Sequence, residues 1–123
     1  MTMKPSTSSD AKVLYLEDEP LIALDGEQTL HDLGYTNVLS VPSLRRAEKA
    51  VEENDIGLAI LDVHLGPDTT SLGLARKLKG RGVPVVFVTG YNPRELPDDV
   101  AGSPILEKPL CPKGLARVLD EVA

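Results

Sequence analysis

The sequence predicts an α/β domain in which a parallel sheet of five strands carries helices on both faces. Three observations carry this reading. Short apolar runs and helix-period segments alternate along the chain, which implies right-handed crossovers and brings every strand C-terminus to one edge. The central run, Leu58-Ala59-Ile60-Leu61-Asp62, has four apolar residues in succession between Gly57 and the Gly66-Pro67 turn signal, as a strand buried on both faces does. Aromatics make up only 3% of the residues and Trp is absent, so the core is expected to be built from Leu, Val, Ile and Ala, which suits a layered fold.

Each element follows from local signals. Residues 1–11 are rich in Ser, Thr and Pro without periodicity and read as a flexible tail, leaving 12–123 as the folded domain. Lys12 to Leu16 is a short apolar strand that stops at Glu17-Asp18-Glu19. Pro20 then suits the first turn of a helix, where its missing N–H is not needed; Leu21, Leu24, Leu30 and Leu33 give it one apolar stripe until Gly34. Val38 to Val41 is a brief strand. Ser43 is placed to cap a helix with Leu44, Ala47, Ala50 and Val51 on its apolar side. After the loop from His64 to Asp68, a helix from about Ser71 buries Leu74, Ala75 and Leu78 and ends at Gly80 and Gly82. Val83 to Thr89 reads as a buried strand. Pro93 and Pro97 follow, and a proline costs about 3 kcal/mol in a helix interior, so the fourth helix is expected to be short or irregular. Pro104 to Glu107 makes the fifth strand. Pro112 to Val122 closes the chain with Leu115, Val118, Leu119 and Val122 at helical spacing.

Composition excludes several functions. A chain of 123 residues fits one domain. The formal charge of -6 argues against a nucleic-acid surface, and the adjacent basic pairs Arg45-Arg46 and Arg76-Lys77 read as solvated helix faces. No apolar run approaches ~20 residues and the first ten residues hold no signal-peptide core, so a cytoplasmic protein without membrane insertion is expected. Cys111 is the single cysteine, which rules out an internal disulfide and leaves small apolar packing as its expected role. The chain ends with its last helix, so output through the domain's own surface is expected.

The strand endings carry the chemistry. Glu17 and Asp18 follow the first strand, Asp62 ends the third, Thr89 ends the fourth and Lys108 follows the fifth. A lone Asp62 would be read as a cap for the turn at His64. Five polar endings at one edge, mixing carboxylates, a hydroxyl and an ammonium, suit a divalent cation and a phosphoryl group instead. Two carboxylates about 4 Å apart repel by roughly 4 kcal/mol at an effective dielectric near 20, so such a cluster calls for a cation. All-oxygen donors favour Mg²⁺ or Ca²⁺, and one or two carboxylates with waters and a phosphate oxygen is the usual Mg²⁺ arrangement. Lys108 can neutralise a carboxylate or a phosphoryl oxygen, and Thr89 can donate to another.

The runs VLYLEDEP, LAILDVHLG, VVFVTGY and ILEKPL together resemble the receiver domain of two-component response regulators, over Lys12 to Ala123. The resemblance implies a flavodoxin-like fold with strand order 2-1-3-4-5. It implies Asp62 as the phosphoacceptor, forming an aspartyl phosphate. Asp18, Asp62 and the backbone carbonyl of His64 would ligate Mg²⁺, Glu17 would help through a water, and Thr89 and Lys108 would bind the phosphoryl group. It further implies a cis Lys108-Pro109 peptide, a sensor histidine kinase or histidine phosphotransfer protein as partner, and a stand-alone regulator that signals through its own surface or passes the phosphoryl group on. Such a domain is a signalling element rather than an enzyme beyond its own phosphorylation and dephosphorylation. Two departures stand out. Ile105 occupies a position where the family commonly has Tyr or Phe, so an aromatic rotamer switch cannot operate there, and the loop from Tyr91 to Gly102 is expected to order on phosphorylation instead. Phe87-Val88-Thr89-Gly90 looks like the Phe-Ala-Thr-Gly signature of a receiver subgroup in alphaproteobacterial stress regulators, with Val88 in place of Ala. The rival reading is a receiver-like interaction module that is not phosphorylated. An aspartyl-nucleophile phosphatase and a flavodoxin fit less well, because Glu17-Asp18-Glu19-Pro20 lacks the Asp-x-Asp pattern of the one and would repel the flavin phosphate of the other.

Overall fold

The computed structural model describes residues 11–66, 68–90, 102–108 and 110–122. Strands and helices alternate as β1 (Val13–Leu16), α1 (Pro20–Asp32), β2 (Val38–Val41), α2 (Leu44–Glu53), β3 (Leu58–Asp62), α3 (Leu72–Gly80), β4 (Val85–Thr89), β5 (Ile105–Glu107) and α4 (Pro112–Val122). The sheet order is β2-β1-β3-β4-β5 with every pairing parallel, which is the flavodoxin-like order. The expected tail up to Asp10, the proline-rich stretch 91–101 where a stunted helix and an ordering loop were expected, and the Lys108-Pro109 peptide's Pro109 lie outside the described residues.

Strand alternation sorts the core into two layers. Ala59 and Leu61 of β3 face one way, with Leu14, Leu16, Val85 and Phe87, into a layer closed by α2 and α3. Leu58 and Ile60 face the other, with Val13, Tyr15, Val86 and Val88, into a layer closed by α1 and α4. Both β1 and β3 are buried along their whole length, as central strands of a doubly wound sheet must be. The core is mainly aliphatic, but its few aromatics are placed centrally: Phe87 in one layer, Tyr15 and Tyr35 in the other.

The helices show where local signals decide and where packing does. Ser43 has an extended backbone and its hydroxyl accepts a hydrogen bond from Arg46 N, the cap expected for α2. Gly34 and Gly82 take positive φ of 100° and 80°, which ends α1 and α3 at low cost. The expected stripe of α1 is corrected in part. Leu30 is buried and Leu33 packs against the second layer, but Leu21 and Leu24 are 80% and 63% exposed. The inward face runs instead through Ala23, Gly26, Thr29 and Leu30, because the helix must fit over the ring of Tyr15. A Cβ on Gly26 would stand 2.2 Å from Tyr15 Oη and 2.6 Å from its Cζ, so only glycine lets α1 approach the sheet there. β4 begins at Val85 rather than Val83, since Val83 N bonds back to Leu78 O at the end of α3. Cys111 is also corrected. It is exposed at the start of α4, where the backbone N–H groups of Gly114 and Lys113 point at its sulfur and hold the thiol below its ordinary pKa.

Candidate functional site

Strand register delivers the polar endings to one edge. Leu16 pairs with Leu61, so Glu17 and Asp62 are the next residues on adjacent strands. Thr89 pairs with Glu107, and Lys108 N donates to Thr89 O at 3.1 Å, which fixes Lys108 one step beyond β5. Val63 N donates to Val88 O at 3.0 Å and holds the backbone after Asp62 against β4. The crossovers alone therefore assemble the site.

Lys108 spans the edge. Its Nζ lies 2.7 Å from Asp62 Oδ2 and 2.8 Å from Glu17 Oε1. Glu17 and Asp62 are both buried, and Glu17 Oε2 also accepts from Glu19 N at 2.9 Å, the turn that carries the chain toward Pro20. Asp18 is exposed between them and open water. One carboxylate oxygen from each of Glu17, Asp18 and Asp62 falls within 4.8 Å of the others. Thr89 is buried at the end of β4, and His64 is half-buried in the loop two residues beyond Asp62. The structure thus brings together Glu17, Asp18, Asp62 and Lys108 through direct geometry, and sets Thr89 and His64 on the adjoining backbone. On the side facing β2, a cavity of about 310 Å³ lined by Glu17, Asp18, Ala23 and Glu27 opens the acidic edge to solvent.

The electrostatics are those of a strained acidic cluster. Burial pushes the Asp62 carboxyl up, to about 6; the hydrogen bond and charge of Lys108 oppose the shift, and the charges of Glu17 and Asp18 add to it. Burial pulls the Lys108 ammonium down, but its hydrogen bonds to Asp62 and Glu17, with their charges, outweigh that and leave it raised. Three carboxylates and one ammonium sum to a formal charge of 1 - 3 = -2 when ionised. A divalent cation cancels that charge, and hard carboxylate oxygens are the donors Mg²⁺ takes, so the residues fit the ion.

A family model, the response regulator receiver domain, matches residues 13–118. The chain belongs to this family. As a receiver it is similar to the phyllosphere-induced regulator PhyR of Methylorubrum extorquens, 33% identical over 114 residues that cover 89% of this chain and 42% of PhyR. It is similar also to SdrG from Sphingomonas melonis Fr1, whose solution structure superposes with a TM-score of 0.80 at 36% identity, covering 94% of this chain and 98% of SdrG. A structure described as the BeF3-activated conformation of SdrG gives 0.78 at 33% identity, with 98% of this chain and all (100%) of that one covered. The chain spans 42% to 60% of the curated relatives it matches. The likeness to PhyR and SdrG agrees with the alphaproteobacterial subgroup resemblance of Phe87 to Gly90.

Two receiver residues close to the site carry no signal in the sequence. Tyr15 reads as one more core residue, yet its hydroxyl lies 3.5 Å from Ile22 O under α1. Burial, first, and then the charges of Glu17 and Asp62 raise its phenol pKa. Ser71 reads as the start of a helix, yet its side chain does not cap α3.

Proposed function

We propose that this receiver takes a phosphoryl group onto Asp62 from the phosphohistidine of a sensor histidine kinase or a histidine phosphotransfer protein, and that it does so with Mg²⁺. The single observation that supports this best is the Lys108 ammonium held between Asp62 and Glu17 at 2.7 and 2.8 Å. A carboxylate at the edge of a sheet, paired with one movable cation and flanked by two further carboxylates, is equipped for in-line displacement at phosphorus.

Asp62 is the nucleophile in this account. With its pKa near 6 the ionised form predominates roughly ten to one at pH 7, so no separate base is needed. An oxygen of Asp62 attacks phosphorus, the P–N bond breaks, and the leaving imidazole keeps the electron pair and takes up a proton. The product is an acyl phosphate on Asp62. Lys108 balances Asp62 before transfer and a phosphoryl oxygen after it, moving only its Nζ. Thr89 supplies a hydroxyl donor from β4. Glu17, Asp18, Asp62 and the His64 carbonyl would hold Mg²⁺, which when bound offsets the charge accumulating on the phosphoryl oxygens. Glu17 also anchors Lys108 from the other side.

The competing reading is an interaction module that is never phosphorylated. Incubation with a small phosphodonor, with and without Mg²⁺, followed by intact-protein mass measurement separates the two. One added phosphoryl group that requires Mg²⁺ is expected. An unchanged mass under both conditions supports the module.

A further inference from the structure

Among the described residues, two serines stand at helix starts and they do different things. Ser43 precedes α2 with φ -147° and ψ 156°, and its hydroxyl accepts from Arg46 N, three residues on. Ser71 stands at the same position before α3 with φ -91° and ψ 6°, and it makes no side-chain cap. Its hydroxyl is fully buried and has no hydrogen-bond partner among the described residues. A buried hydroxyl left unpaired is costly and uncommon, and here the ordinary acceptor role of a capping serine is open at the same helix end.

The backbone at Ser71 is tied to the phosphoacceptor. Ser71 N donates to Val63 O at 3.0 Å, and Val63 directly follows Asp62. Leu65 N donates to Thr69 O at 2.9 Å and His64 forms an antiparallel bridge with Thr70, so the residues after Asp62 pair with those before Ser71. Ser71 O in turn accepts from Ala75 N in the first turn of α3. One residue therefore links the loop behind Asp62 to the helix, and its present ψ turns the hydroxyl away from the amides it could cap.

We propose that Ser71 is a positioning residue that switches α3 from uncapped to capped when Asp62 carries a phosphoryl group. Rotation of ψ at Ser71 toward the extended value seen at Ser43 brings its oxygen to the N–H groups of Gly73 and Leu74. The same rotation shifts the loop through the Ser71–Val63 bond. The unpaired hydroxyl penalises the unphosphorylated arrangement, and the cap it gains favours the phosphorylated one, so Ser71 biases the loop toward the state in which Asp62 is loaded. The inference rests on the phosphoacceptor reading for its trigger alone.

Amide hydrogen exchange on the full chain tests it, comparing the protein alone with the protein in Mg²⁺ and beryllium fluoride as the phosphoryl mimic. Exchange at Gly73 and Leu74 is expected to slow roughly fivefold on adding the mimic, the worth of one N-cap. Ser71→Ala should lose that gain while the Lys108 amide still responds, and Ser71→Thr should restore it. Equal protection of Gly73 and Leu74 in the wild type and in Ser71→Ala, with Lys108 responding in both, overturns the switch and leaves the phosphoacceptor reading standing. No slowing in the wild type while Lys108 responds overturns it as well, whether or not Ser71→Ala folds. If Lys108 fails to respond in the wild type, the phosphoacceptor reading fails and the switch loses its trigger.

Discussion

Lys108 Nζ lies 2.7 Å from Asp62 Oδ2, joining the end of β5 to the end of β3 across the intervening strand. The same nitrogen meets Glu17 Oε1, so one ammonium balances two buried carboxylates. Replacing it by Met removes the charge and keeps most of the apolar stem. Breaking a buried pair by removing one partner costs about 3 kcal/mol or more. Lys108→Met is therefore expected to lose stability of this order at pH 7 and less at pH 5, where Asp62 can take a proton. Urea unfolding at the two pH values measures this.

Asp62 itself makes the metal-free protein weaker at neutral pH. Its folded pKa of about 6 lies above the ordinary 3.8, so between these values the folded chain binds more protons than the unfolded one. Stability must then fall as pH rises through that window and stay low above it. The full shift corresponds to about 3 kcal/mol. Asp62→Asn should flatten this slope and raise the melting temperature at pH 7 without Mg²⁺, while leaving it little changed near pH 4. A variant that melts below the wild type at pH 7 contradicts the assigned strain.

Asp18 is the exposed member of the cluster. Asp18→Asn is expected to leave the metal-free melting temperature within about 2 °C, on the scale of ordinary surface changes. The rise in melting temperature on adding Mg²⁺ should shrink with it, since fewer carboxylates bind the ion. Thermal melts over a Mg²⁺ series read both quantities.

Gly26 and Tyr15 form a size-matched pair beneath α1. The ring of Tyr15 is 1% exposed and cannot move aside, so Gly26→Ala is expected to destabilise by about 1 to 3 kcal/mol despite the better helix propensity of Ala. Tyr15→Leu in the same chain should recover part of the loss. Additive losses in the double variant would show that the two residues do not share a contact.

This pair also shows where the sequence stops being readable. Leu21 and Leu24 look like the buried side of α1 because they are leucines in one helical stripe with Leu30 and Leu33, but a helix buries the face that fits, and fit depends on Tyr15 from another element. β3 was legible because a central strand needs only a run of apolar residues, and Ser43 because a cap is local. The convergence of Glu17, Asp18, Asp62 and Lys108 followed from alternation alone, since parallel strands end at one edge. The strand order came from the resemblance, as periodicity does not order strands. The direct bond from Glu17 to Lys108 and the unpaired hydroxyl of Ser71 were not legible, because both depend on side-chain directions that spacing does not give. Cys111 was misread because one cysteine among apolar neighbours looks like packing, whereas its place at the start of α4 exposes it.

If Asp62 is the acceptor, phosphorylation leaves an acyl phosphate at that position and at no other. Borohydride reduces an aspartyl phosphate to homoserine, so treating the protein with a small phosphodonor and Mg²⁺, reducing it, and sequencing its peptides by mass spectrometry locates the acceptor. Homoserine is expected at position 62, dependent on Mg²⁺ and on phosphodonor. Homoserine at another aspartate such as Asp18, or none at any position in a protein that has gained phosphate, would contradict it.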